Sequence, residues 1–83
     1  MADRDVERNY PAKLFAAKLR RLADALESGQ QFRIEVANQR FEVARNPLLS
    51  VEHERAQGME QATFNLSWRI DDVDAPKDGE AEV

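Results

Sequence analysis

The sequence predicts an α+β domain: one amphipathic helix packed on a four-stranded antiparallel β-meander, in two layers. Three observations carry this expectation. Residues 62–70 alternate without a break, with Ala62, Phe64, Leu66, Trp68 and Ile70 on one side and Thr63, Asn65, Ser67 and Arg69 on the other. A strand turns successive side chains to opposite faces, so this is a strand with one buried and one wet face. Ala12, Phe15, Leu19, Leu22 and Leu26 recur at spacings of three and four, the stripe of an amphipathic helix. Between them lie two turn signals, each flanked by alternating runs whose apolar residues match across the turn.

Residues 1–9 are polar and mixed in charge, with Val6 the large apolar exception, and predict a loose lead-in. Residues 3–8 are a candidate for an extra edge strand. Asn9-Tyr10-Pro11 starts the helix: Asn9 is an N-cap candidate, and proline in the first turn loses an N–H that would have no partner there. Lys13, Ala17, Arg20, Asp24 and Glu27 point away from the apolar stripe. Gly29 ends the helix, because a left-handed residue is most easily accommodated at that position by glycine.

From Gln31 the period changes to two. Phe32, Ile34 and Val36 share one face, and Arg33 and Glu35 the other. With Asn38-Gln39 as a two-residue loop, Val36 opposes Phe41 and Ile34 opposes Val43. A slip of one residue would turn one apolar set to solvent. Asn46-Pro47 interrupts the pattern and predicts a connection. Leu49 and Val51 resume it, with Ser50, Glu52 and Glu54 outward. A hairpin at Gln57-Gly58 sets Val51 opposite Phe64 and Leu49 opposite Leu66, apolar on apolar. Trp68 is expected to be largely buried against the helix near Leu19 or Leu22.

At 83 residues the chain has room for one domain, assigned to residues 10–70. Its core is thin, since a domain this small buries only about 60% of its unfolded surface. Cysteine is absent, so there is neither a disulfide framework nor a thiolate metal site. The charged start predicts no secretory signal, and the expected setting is cytoplasmic. The net charge of −4 is unevenly placed. Residues 71–83 hold six acidic side chains against Lys77 alone, a balance of −5, while residues 1–70 hold 11 basic and 10 acidic, a balance of +1. High charge with Pro76 and Gly79 predicts an acidic disordered tail over 71–83 that is dispensable for folding.

The segment Leu22-Ala23-Asp24-Ala25-Leu26-Glu27-Ser28-Gly29, followed by alternating strands and a terminal Phe64-x-Leu66-x-Trp68, resembles the amphi-Trp domain family. Its members are short prokaryotic proteins or domains with a helix-then-strands layout and a late tryptophan. The resemblance covers about residues 10–70. Two departures stand out: Tyr10-Pro11-Ala12-Lys13 occupies a helix start that is usually acidic, and the outward face at Glu52 and Glu54 is less acidic than usual. The resemblance implies the fold and brings no catalytic or binding residues.

No catalytic, cofactor-binding or metal-ligating residues are expected. His53, the sole histidine, lies between Glu52 and Glu54, but on a strand those carboxylates project from the opposite face. Zinc needs three or four converging ligands. Ser50 and Ser67 face outward while His53 faces inward, which separates any serine–histidine pair. Asn65-Leu66-Ser67 matches a glycosylation sequon inside a strand. Phe32, Phe41, Phe64 and Trp68 share the face the helix should cover, whereas sheets that bind single-stranded RNA stack bases on exposed aromatics. Arg33, Arg40 and Arg69 on the outer face are diluted by Glu35, Glu42, Glu52 and Glu54. The basic helix surface of Lys13, Lys18, Arg20 and Arg21 leaves a nucleic-acid partner as the alternative.

The leading expectation is a small non-enzymatic domain that binds or assembles through protein–protein contacts, without a cofactor or a membrane. Self-association is expected through the edge of the last strand, where unpaired N–H and C=O groups recruit another chain.

Overall fold

The computed structural model describes residues 9–83, so the lead-in and its candidate edge strand lie, but for Asn9, outside the described residues. One helix and four strands follow in order: α1 (Ala12–Ser28), β1 (Phe32–Val36), β2 (Gln39–Val43), β3 (Leu48–Ala56) and β4 (Met59–Ser67), then a single 3-10 turn at Ile70–Asp72. The α+β composition and the antiparallel pairings agree with the sequence. No helix among the described residues is long and apolar enough to cross a membrane.

Pro11 is the residue before the helix rather than part of its first turn, and its carbonyl accepts from Phe15 N–H at 3.0 Å. No side chain caps this end. Gly29 closes the other end in the left-handed conformation, φ +70°, and donates to Leu26 O.

β1 and β2 form one hairpin, and β3 and β4 a second. The second has the predicted register, with Leu49 opposite Leu66 and Val51 opposite Phe64. Gln57 and Gly58 have φ of 53° and 79°, the two positive values of a type I′ turn. In the first hairpin the loop is Ala37-Asn38, so Ile34 opposes Phe41 and Phe32 opposes Val43. Moving a two-residue loop by one position shifts every pair by two residues on one strand. That preserves which face each side chain occupies, so the apolar set survives the change. Ala37, at φ 49°, stands where an L-residue with Cβ is strained. Ala37→Gly should therefore stabilise the chain by about 0.5–1 kcal/mol; a lower urea midpoint in the variant would contradict this.

The two hairpins do not join, which corrects the four-stranded meander. Alternation assigns faces, and hairpin turns assign neighbours, but nothing local specifies a β2–β3 pairing. The chain leaves Val43 through residues 44–47, where Pro47 lacks an N–H and biases Asn46 to extended backbone. β2 and β3 then run in separate sheets.

The core is built under the first hairpin alone. Phe32, Ile34 and Val43 are buried against Ala25 of α1, with Leu22, Leu26, Val36, Leu66 and Trp68 half-buried around them. Trp68 follows the end of β4 and stacks on Phe41, centroids 6.0 Å apart and planes 20° from parallel. It is half-buried at the margin of the core rather than sealed by the helix. Ile70 lies outside the strand and is exposed.

The tail differs most from expectation. Val83 is a member of the buried cluster. Arg33 N–H donates to Ala81 O at 2.9 Å, Val83 N–H to Arg33 O at 2.8 Å, and Glu35 N–H to Val83 O at 3.2 Å. Residues 81–83 thus run parallel to β1 along its free edge, with Glu82 bridged to Arg33. The predicted disordered segment is ordered at its end because Glu80-Ala81-Glu82-Val83 itself alternates charged and apolar. Its charges meet arginines and its valine meets the core.

Candidate functional site

Two surfaces collect the side chains that could act on something else. The first is the outer face of β1–β2 with the tail on it. Arg33 pairs with Glu42 at 3.0 Å, with Glu82 at 3.3 Å and with Glu80 at 3.8 Å. Arg40 pairs with Glu82 at 3.3 Å and with Glu35 at 3.8 Å. Gln31 fastens the start of the tail, accepting from Asp74 N–H and donating to Asp74 O, each at 2.7 Å, and it donates to Glu42 at 2.9 Å. Two of the three outer-face arginines are therefore engaged by carboxylates of the same chain.

Within this network one oxygen of the Glu80 carboxylate is buried without a hydrogen-bond partner. Hydrogen bonding to Glu42 and burial both push the Glu80 carboxyl above its ordinary value. At Glu42 burial pushes upward, but the bonds from Glu80, Gln31 and Arg33 outweigh it, and its carboxyl sits below the ordinary range. The opposed shifts are those of two neighbouring carboxyls that interact. Glu80 thus adds stability below the ordinary 4.5 and loses it as pH rises through its raised folded-state value. Glu42 contributes above 4.5 and loses its contribution as pH falls through its lowered value. Glu80→Gln, a permanently neutral donor, should then cost stability in acid and cost less, or stabilise, at neutral pH. Melting curves on both sides of 4.5 test this. A penalty larger at neutral pH than in acid would refute the raised Glu80 carboxyl.

The second surface is the β3–β4 hairpin. Leu49, Val51, Phe64 and Leu66 fall on one face by register. All nine residues of β3 are exposed, and along β4 the half-buried ones are Thr63, Asn65 and Leu66. Leu49, Val51 and Phe64 are 59%, 66% and 73% exposed. A lone two-stranded ribbon is marginally stable in water unless its apolar face packs on something. This one packs Leu66 on the core and presents Leu49, Val51 and Phe64 to solvent.

His53 lies on that same face, at its turn end. Its Nε2 contacts Glu60 Oε2 at 2.5 Å, and Arg55 Nε reaches the same oxygen at 3.3 Å. Glu52 and Glu54, its neighbours in sequence, lie on the other face, and the carboxylate that reaches His53 is Glu60 across the hairpin, where the predicted register sets it opposite Arg55. All three side chains are well exposed, so this is a surface ion cluster of little energetic weight. Ser50 and Ser67 lie on the opposite face, apart from His53. Among the described residues, no group of three or more His, Asp or Glu side chains gathers as metal ligands.

No family model, curated protein or solved structure matches the chain. Its functional reading therefore rests on these two surfaces.

Proposed function

We propose that this chain is a non-enzymatic binding and assembly module that acts through protein–protein contacts, with the apolar face of β3–β4 as the contact surface. One observation carries the reading: three large apolar side chains, Leu49, Val51 and Phe64, stand side by side and exposed on the ribbon. Contiguous apolar patches of this kind mark interaction sites on small domains. The absence of cysteine supports a reduced, cytoplasmic setting. The likeness of residues 10–70 to the amphi-Trp domain fits a small accessory module and adds no activity. The pairing of Arg33 and Arg40 with the chain's own carboxylates counts against a phosphate surface on the sheet, and the nucleic-acid alternative rests on the basic helix surface around Lys13, Arg20 and Arg21.

A photo-crosslinking side chain placed at Val51, in the full chain inside its host cell, tests the reading. Discrete protein adducts are expected from Val51 and not from Ser50, on the opposite face of the same strand. Absence of adducts, or equal adducts from both positions, would remove the surface from consideration.

A further inference from the structure

We infer that the occupant of the open hairpin face is a second copy of this chain, and that each copy's β3–β4 ribbon covers the exposed stripe of the other copy's α1. The inference rests on the reading of β3–β4 as a contact surface and names its partner.

The first argument is area. A folded monomer of this mass exposes about 5,000 Å². This chain exposes 7291 Å². If residues 1–8 are allotted the full area of an extended chain, the remainder still exceeds by about 1,200 Å² the roughly 4,700 Å² expected of a folded body of its own mass. A standard protein–protein interface needs about 800 Å² from each partner. Two copies that each withdrew this excess would bury about 2,400 Å² together, within the range of obligate homodimers. The radius of gyration agrees, at 14.2 Å where about 12 Å is usual for this length.

The second argument is complementarity. Among the described residues, two apolar surfaces stand exposed: Leu49, Val51 and Phe64 on the ribbon, and Leu14, Phe15 and Leu19 on the first half of α1. The helix buries its other half, through Ala25, on the first hairpin, so the predicted stripe is only partly used. A two-fold dimer matches each ribbon to the other copy's helix, residue i to j and j to i, and satisfies both surfaces at once. The arrangement rebuilds between chains the helix-covered apolar sheet that the sequence predicts within one.

Sedimentation equilibrium of the full chain, from micromolar to sub-millimolar concentration, is expected to give a mass approaching twice 9.5 kDa. Phe64→Glu should weaken association about thirtyfold or more, the effect of losing a central hot-spot side chain. Because that variant could also lose its ribbon, a second measurement uses the natural absence of cysteine. Leu19→Cys chains mixed with Val51→Cys chains should form a disulfide-linked dimer on mild oxidation, well above a mixture of Leu19→Cys with Arg40→Cys. A constant monomer mass would overturn the second copy, and the Val51 photo-adduct would then report whether a different protein uses the face. A dimer that survives Phe64→Glu and gives no Leu19–Val51 crosslink would overturn the reciprocal arrangement.

Discussion

Phe32→Ala is expected to cost about 3–5 kcal/mol, the usual range for truncating a buried phenylalanine. The side chain is 1% exposed and opens β1 opposite Val43, in contact with the cluster of Ala25, Ile34 and Val83. It joins helix, hairpin and tail at one point, so its removal leaves a cavity bordered by three segments. A chain of this length has roughly 4–8 kcal/mol in total. The variant should therefore be largely unfolded near physiological temperature, with the lone Trp68 reporting the transition. Phe41→Ala is the comparison. That ring is 39% exposed and stacks on Trp68, so its loss should cost clearly less. Equal urea midpoints for the two variants would mean that Phe32 is not the centre of the core.

The second large effect concerns the tail. Ending the chain after Pro76 removes Val83 from the core, three inter-strand hydrogen bonds from the edge of β1, and the Glu80 and Glu82 partners of Arg33 and Arg40. It also removes the Val83 carbonyl that accepts from Lys18 Nζ at 3.2 Å, the bond that ties tail to helix. The expected loss is about 2–4 kcal/mol, the scale of deleting one buried aliphatic side chain together with the cavity it leaves. The composition of residues 71–83 argued the opposite, since high charge ordinarily cannot offset the entropy of ordering. Equilibrium denaturation of the shortened chain separates the two. An unchanged midpoint would restore the view that the tail is dispensable. Added salt should lower the stability of the full chain more than that of the shortened one, because exposed pairs such as Arg40–Glu82 are screened.

Most of the local structure was legible in the residues. Gly29 marked the helix end, the strand Phe32–Val36 was read with its bounds, and the Gln57-Gly58 turn fixed the register of the longer hairpin. The first loop was misplaced by one residue because Ala37 carries no turn signature, yet holds φ 49°. The face of every strand residue still came out correctly, since a period of two tolerates that error. Of the two surfaces, the apolar ribbon face was visible as alternation, whereas its exposure was not. Alternation states that one face is apolar and leaves open what lies over it.

Three features were decided by the tertiary structure. The hairpins separate, the tail docks on β1, and Arg33 and Arg40 are spent on carboxylates up to 49 residues away. Each depends on which distant segments meet. A local pattern of periods, caps and turns constrains the backbone over a few residues at a time, while docking is chosen by competition among surfaces. The Glu80-Ala81-Glu82-Val83 alternation was present in the sequence, but only the arrival of its charges at Arg33 and Arg40, and of Val83 in the cluster with Phe32, holds it against the edge of β1.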